Sequence, residues 1–269
     1  NAVGQSVRQI EAPRLLTGKG RFTDDVNLHH QAHAVFLRSP HAHADILNID
    51  ISRAATMPGV LAVLTGADCV ADGLGLIESL TPNKRRDKSP MFRPERPALS
   101  HDRVRHVGQA VVLVVAESVA QAKDAAEHIL VEYAPLPAHM DTATANRADT
   151  PALWEACPDN ESSFAEMGDA AAVDAALAKA AHVVRERFIV NRVTANALEP
   201  RAVVADYDRS RERFSIHACN QRPYAWRHLL ATHLFHVPEN KIAIVTGDVG
   251  GSFGMKSGLY PEIPLTAWA

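Results

Sequence analysis

Apolar residues cluster in short blocks along this chain, and their spacing predicts a mixed set of strands and helices. The strongest block, 110–116, follows Gly108 and is apolar at every position, so it predicts a strand. Ser118 then has Gln121 three residues on, a capping-box pair that predicts a helix to about Glu127. A further strand is predicted over 129–133. The order strand–helix–strand suggests a βαβ-like or α+β unit. Upstream, 33–38, 44–51 and 60–65 read as strands, with Pro58-Gly59 as a turn. Residues 21–26 read as extended after the turn Gly18-Lys19-Gly20. Residues 72–97 have no period and carry the charge run Lys84-Arg85-Arg86-Asp87-Lys88, which predicts a long, solvated surface loop.

Pro135-Leu136-Pro137 closes this first region, and the polar, aperiodic stretch 138–163 reads as a linker. Beyond it, an alanine-rich helix is predicted over 169–180 with Asp169 as N-cap. Strands are predicted over 182–190, 202–207 and 214–218. Pro223 suits the first turn of a helix running to about Phe235. Ile242, Ile244 and Val245 mark a buried strand over 241–246, and a last helix is predicted from Tyr260-Pro261-Glu262.

Composition adds little direction of its own. The chain has 269 residues, 46% hydrophobic and 22% charged, with a net charge of −3, as in an ordinary globular protein. That charge gives no whole-chain case for binding nucleic acid or an anionic membrane. No apolar run nears the roughly 18 residues that span a bilayer. The 3 cysteines, Cys69, Cys157 and Cys219, are far apart and form no C-x-x-C pair. They therefore supply neither a zinc knuckle nor an iron–sulfur site, and they predict a reducing, cytoplasmic compartment.

The chemistry concentrates in Gly250-Gly251-Ser252-Phe253-Gly254-Met255-Lys256, directly after the 241–246 strand. Glycines there let a backbone approach a ligand and aim N–H groups at it. The loop lacks the adjacent Gly-Lys of a P-loop and the G-x-G-x-x-G of a dinucleotide site. A tight structural turn is the alternative, but such a turn has no need to display Phe253. Gln221 sits just before the predicted helix at Pro223, where its amide can face a ligand. His41 and His43 lie on one strand face without a third ligand at a familiar spacing, so they read as structural. Glu199, before Pro200, reads as a cap or an ion-pair partner rather than a general base.

Together these segments resemble the large, molybdenum-cofactor-binding subunit of the xanthine dehydrogenase/aldehyde oxidase family, including its carbon monoxide dehydrogenase-like branch. The likeness runs almost end to end. It comprises Gly20-Arg21-Phe22-Thr23-Asp24-Asp25, Arg38-Ser39-Pro40-His41-Ala42-His43-Ala44, Pro58-Gly59-Val60-Leu61-Ala62-Val63 and Val107-Gly108-Gln109-Ala110-Val111. It continues with Tyr133-Ala134-Pro135-Leu136-Pro137, Glu199-Pro200-Arg201, Asn220-Gln221-Arg222-Pro223 and Asp248 through Lys256. The departures are Ser252 at a commoner glycine and Leu198 at a usual methionine.

The resemblance implies an α+β fold. An α/β hammerhead domain with an N-terminal arm would span 1–137 and a linker 138–163. The opening of a molybdenum-cofactor-binding domain would span 164–269. It implies that Gly250, Gly251, Ser252, Phe253 and Gly254 line a molybdenum–molybdopterin cofactor, in a dinucleotide form, and that Gln221 hydrogen-bonds an oxo ligand of the metal. No side chain would ligate the metal. The family's catalytic glutamate would lie beyond Ala269, so this chain would be an N-terminal fragment, inactive alone. The implied reaction is oxidative hydroxylation of an aldehyde, an N-heterocycle or a related small substrate, possibly CO, with water as oxygen source. The implied partners are the remainder of the large subunit, a [2Fe–2S] small subunit and an FAD medium subunit, with no nucleic acid and no membrane. Two other readings stand beside it: a scaffold or assembly module of the same family without cofactor, and a nucleotide-binding protein using the glycine loop on phosphate.

Overall fold

A computed structural model describes residues 3–191 and 193–269. The chain forms two compact units. One comprises the residues up to Glu78, Glu95–Pro137 and Ala195–Ala269; the other comprises Ser79–Pro94 and Ala138–Thr194. Compactness thus cuts across chain order. Among the described residues no helix is long and apolar enough to cross a membrane.

The larger unit holds three three-stranded sheets. In the first, β5 (Ala110–Ala116) lies between β1 (His33–Arg38) and β3 (Val60–Thr65), antiparallel to both. In the second, β2 (Ala44–Asp50) lies between β4 (Arg103–Val104) and β6 (Leu130–Pro135). The third joins β7 (Val203–Asp208) and β8 (Arg213–Ala218) antiparallel, and β8 and β9 (Ile242–Val245) parallel. A parallel pair needs a crossover, and α6 (Pro223–Leu229) with the π turn Leu230–Leu234 supplies it.

The continuous apolar run of β5 follows from its position. Leu113 packs with Leu99, Ile216, Trp226 and Leu230 in one core, while Val112 and Val114 join Ala44, Val104 and Ala122 in another. Both faces of the strand are therefore buried, which a period-2 pattern with one polar face would not allow. Burying each of the valine, leucine and isoleucine side chains contributes about 1.5–3 kcal/mol. The second core is closed by α4 (Val119–Ala126). Its N-cap Ser118 accepts from the Gln121 amide at 3.3 Å and donates to the Gln121 side chain at 2.6 Å.

Several elements differ from their predicted form. The β5–α4–β6 segment is not a parallel βαβ unit, because β5 and β6 belong to different sheets. Residues 21–26 are not extended throughout: Thr23–Asp25 is a 3-10 turn, held by the Asp25 carboxylate accepting from the Phe22 amide at 2.8 Å. The helix from Pro223 ends in a π turn, where Phe235 bonds back to Leu230 at 2.8 Å. A helix not foreseen, α3 (Gly66–Ala71), starts where the Asp68 carboxylate accepts from both the amide and the hydroxyl of Thr65, each at 2.7 Å.

The smaller unit has one helix among its described residues, written α5 (Ala170–Lys179), capped by Asp169 on the Ala172 amide at 3.0 Å. The charge run is not a purely solvated excursion. Arg85 pairs with Asp159, and Arg86 pairs with Glu161 at 2.9 Å. The Phe92 and Phe164 amides bond to the Ser162 and Lys84 carbonyls at 2.9 and 2.8 Å. The predicted strand over 182–190 is corrected outright: it forms no ladder among the described residues, and Phe188 is 84% and Val190 90% exposed. A strand needs an edge to pair with and a face to bury, and here it has neither.

Candidate functional site

The parallel pairing of β8 and β9 brings the C-terminal ends of both strands to one side of their sheet, the place where open sheets with parallel strands bind ligands. From β8 the chain enters Asn220 and Gln221; from β9 it enters the glycine loop. Asn220 is buried and ties the two ends together. Its side-chain nitrogen donates to the Thr246 hydroxyl at 2.6 Å and the Ala218 carbonyl at 3.2 Å, and its oxygen accepts from the Arg222 amide at 3.1 Å. This Asx turn leaves Gln221 exposed. The Gln221 amide bonds to the Lys256 carbonyl at 3.0 Å, so Gln221 and the loop are main-chain neighbours.

The loop itself is anchored at both ends and turns between them, where the Met255 amide donates to the Ser252 carbonyl at 2.9 Å. Glu199 Oε2 accepts from the Gly250 amide and from Lys256 Nζ, each at 2.8 Å. The Glu199 amide returns a bond to the Gly250 carbonyl at 3.1 Å. A Cβ at position 250 would sit 2.5 Å from the Glu199 Cβ, so the approach requires glycine. At the far end, Trp226 Nε1 donates to the Ser257 carbonyl at 3.1 Å. Just before the loop in sequence, Asp248 is tied to the N-terminal arm with α1 (Ala12–Leu16). Arg14 reaches both Asp248 carboxylate oxygens at 2.5 Å, and the Arg21 amide donates to the same carboxylate at 2.7 Å. These bonds hold the Asp248 carboxyl below the ordinary 3.8, at about 2.

Between the anchors, the backbone takes unusual conformations. Phe253 has φ of +48° and is 76% exposed, and Gly254 has φ of +89° with open space where a Cβ would be. A left-handed residue costs free energy here as it does at Lys88, Glu212 and His236, and Phe253 adds to that the exposure of an aromatic ring. Ser252 Oγ is buried with no hydrogen-bond partner among the described residues. A buried hydroxyl without a partner, beside a backbone turned outward, fits a polar group arriving from outside the chain.

The structure therefore brings together all six expected positions, namely Gln221, Gly250, Gly251, Ser252, Phe253 and Gly254. It adds Asn220, Trp226, Glu199 and Lys256 as their supports. Asn220 could have been read from the Asx-turn signal of Asn-Gln-Arg-Pro; the burial of Lys256 had no local signal. His41 and His43 do not converge on a site. His43 is buried with Nδ1 2.8 Å from the Pro137 carbonyl, and the His41 ring leans on Tyr133 at 4.9 Å. Among the described residues no group of three His, Cys, Asp or Glu could hold a metal ion.

Two family models account for most of the chain. Residues 17–137 match "Aldehyde oxidase and xanthine dehydrogenase, a/b hammerhead domain". Residues 154–269 match "Molybdopterin cofactor-binding domain". The chain belongs to the xanthine dehydrogenase/aldehyde oxidase family. Among relatives, the nicotine 6-hydroxylase large subunit of Paenarthrobacter nicotinovorans is 36% identical over 264 residues, covering 97% of this chain and 31% of that protein. The carbon monoxide dehydrogenase large chain of Afipia carboxidovorans is 33% identical over 270 residues, covering 96% and 32%. Quinoline 2-oxidoreductase from Pseudomonas putida 86 superposes with a TM-score of 0.87 at 35% identity, over 100% of this chain and 33% of that one. The chain thus spans about a third of the length of each of these three proteins.

Proposed function

We propose that this chain forms the first wall of the cofactor site in a molybdenum hydroxylase large subunit. The observation that carries the reading is the loop at the β8–β9 ends. It has a buried, unpartnered Ser252 hydroxyl, a left-handed Phe253 and an adjacent Gln221. The bound molybdenum–molybdopterin cofactor, in a dinucleotide form, would supply the redox centre. The reaction would convert a C–H bond of an aldehyde, an N-heterocycle or a related small substrate to C–OH, or oxidise CO. Water gives the oxygen, and two electrons and two protons leave.

This chain's residues bind and orient. Ser252 and the loop backbone offer a hydroxyl and N–H donors to the cofactor. Gln221, whose backbone amide bonds the Lys256 carbonyl, is exposed and would offer its side-chain amide to an oxo group of the metal. Glu199, Lys256, Asn220 and Trp226 hold that arrangement. The named site residues carry none of the proton transfer.

The same reading assigns 1–137 to the hammerhead domain with its arm, 138–163 to a linker and 164–269 to the opening of the cofactor domain. It places the chain in the cytoplasm, in line with three unpaired cysteines. It also calls for the remainder of the large subunit and for [2Fe–2S] and FAD subunits to carry electrons away. Two observations support a partner surface of the first kind: α5 buries no residue, and 182–190 displays apolar side chains without a ladder.

The test uses the complete enzyme. Gln221→Ala is expected to lower turnover by about 10²–10³-fold with the fold intact, as for loss of one preorganised donor. Gly254→Val is expected to lower molybdenum content itself, because valine disfavours the left-handed backbone. Full molybdenum occupancy and normal turnover in Gly254→Val would reduce the loop to a turn and remove the proposal.

A further inference from the structure

The bulkiest of the fully buried side chains is Lys256, with 2% of its side chain exposed. An ammonium is costly to bury unless it is paired and hydrogen-bonded. Its partner is Glu199, whose side chain is 12% exposed. Both groups are buried and bonded to each other, so neither is offered to solvent as an acid or a base. Its geometry suggests another use. One carboxylate oxygen, Glu199 Oε2, holds both the Gly250 amide and the Lys256 ammonium at 2.8 Å. These are the two ends of the seven-residue segment 250–256. A single atom therefore closes the segment into a ring.

The ring reaches further. The Lys256 carbonyl accepts the Gln221 amide at 3.0 Å, so the same lysine carries Gln221 on its main chain and the loop entrance on its side chain. The other Glu199 oxygen lies 3.4 Å from the Thr23 amide, which links the N-terminal arm to the same point. Gly250 leaves room for all of this, since a Cβ there would strike the Glu199 Cβ.

We propose that Glu199 and Lys256 are positioning residues: a buried ionic clasp that sets the backbone of 251–255 and the place of Gln221 relative to it. The inference rests on the loop being the cofactor wall, but its direct readout does not. Removing one partner leaves an uncompensated buried charge, whereas replacing both by neutral groups of like size removes that penalty. The deciding variant is therefore Glu199→Gln with Lys256→Met, compared with each single change and with wild type.

All four proteins would be made as the complete enzyme. Three readouts are needed: melting temperature, hydrogen exchange of the peptide covering 250–256 after cofactor removal, and molybdenum content as isolated. Each single variant is expected to melt earlier. The double variant is expected to recover most of the melting temperature, while its loop amides exchange at least tenfold faster than wild type and its molybdenum content stays low. A pair with a merely structural role would give a double variant restored in all three readouts, and that result overturns the proposal. Wild-type loop exchange in Lys256→Met would overturn it as well. If wild-type enzyme itself holds no molybdenum pterin, the cofactor reading fails, while loop exchange still decides whether the clasp exists.

Discussion

Strand β5 and residues 182–190 are both predicted as strands and end in opposite states, although 182–190 also carries Arg185, Glu186 and Arg187. Both are rich in valine with a larger apolar residue among them, Leu113 in one and Phe188 in the other. β5 is paired on both edges, and Val111, Val112, Leu113 and Val114 have no exposed surface. Residues 182–190 pair with nothing among the described residues and hold Phe188 and Val190 in solvent. Apolar content proposes a strand, but only a neighbouring edge and a face to cover make one. The largest expected effect tests this contrast. In the 269-residue chain, Leu113→Ala should cost about 2–5 kcal/mol, the usual range for a buried leucine. Phe188→Ala should change stability by no more than about 0.5 kcal/mol, as for an exposed site. Urea midpoints of the two variants measure both. Equal losses would mean that 182–190 is packed in solution, and the contrast would collapse.

The same contrast explains what could be read from the sequence. Elements whose signals are local were legible. Ser118 with Gln121, Asp169 and Pro223 each announce a helix start through chemistry within three or four residues, and all three helices begin there. β5 was legible because a fully apolar run needs no knowledge of its partner to be placed in a core; β9 forms where predicted but as an edge strand, with only Ile242 buried and Val245 42% exposed. What failed was non-local. The sequence of 182–190 carries no mark of whether an edge is present, and no local pattern tells that β5 and β6 enter different sheets. At the candidate site, the glycines and Gln221 stood out by residue type. Lys256 did not, because its role depends on Glu199, 57 positions away in sequence. Asp248 was hidden in the same way, since its partner Arg14 lies in the arm.

Two helix caps sharpen the comparison at a smaller scale. Ser118 and Asp169 both accept a hydrogen bond from the third amide beyond, and by local rules each is worth about 0.5–2 kcal/mol. Their helices differ in burial: α4 buries Ala122, Ala125 and Ala126, while α5 buries nothing. Ser118→Ala should therefore lower global stability by about 1 kcal/mol, because α4 unfolds only with its core. Asp169→Ala should fray α5 and leave the global midpoint within about 0.3 kcal/mol, since most helical stability comes from packing an apolar face. Chemical denaturation reports the first effect, and exchange at the 170–179 amides reports the second. A global loss at Asp169 as large as at Ser118 would show that α5 is coupled to the cores.

The smallest effect concerns the N-terminal arm, which is held by surface bonds rather than by burial. Asp248 is the clearest handle. The Arg14 guanidinium, and after it the Arg21 amide, keep its carboxyl at about 2 instead of 3.8. A carboxyl with a depressed folded-state pKa stabilises fully above its unfolded value and loses that contribution as pH falls through the folded value. The arm should thus stay attached at neutral pH and at pH 5, and detach progressively between about 3.8 and about 2. Pepsin works in this window and cuts flexible backbone first. Wild type should resist nicking around residues 12–21 near pH 4 and be cut near pH 2. Asp248→Asn keeps an acceptor for the Arg21 amide but loses the charge facing Arg14, so its arm should be cut at both. Salt should weaken the wild-type protection, because the pair is exposed enough to be screened. If wild type and Asp248→Asn are nicked alike near pH 4, the ion pair does not hold the arm. The Thr23–Glu199 link and the Asp248–Arg21 backbone bond would then have to do so.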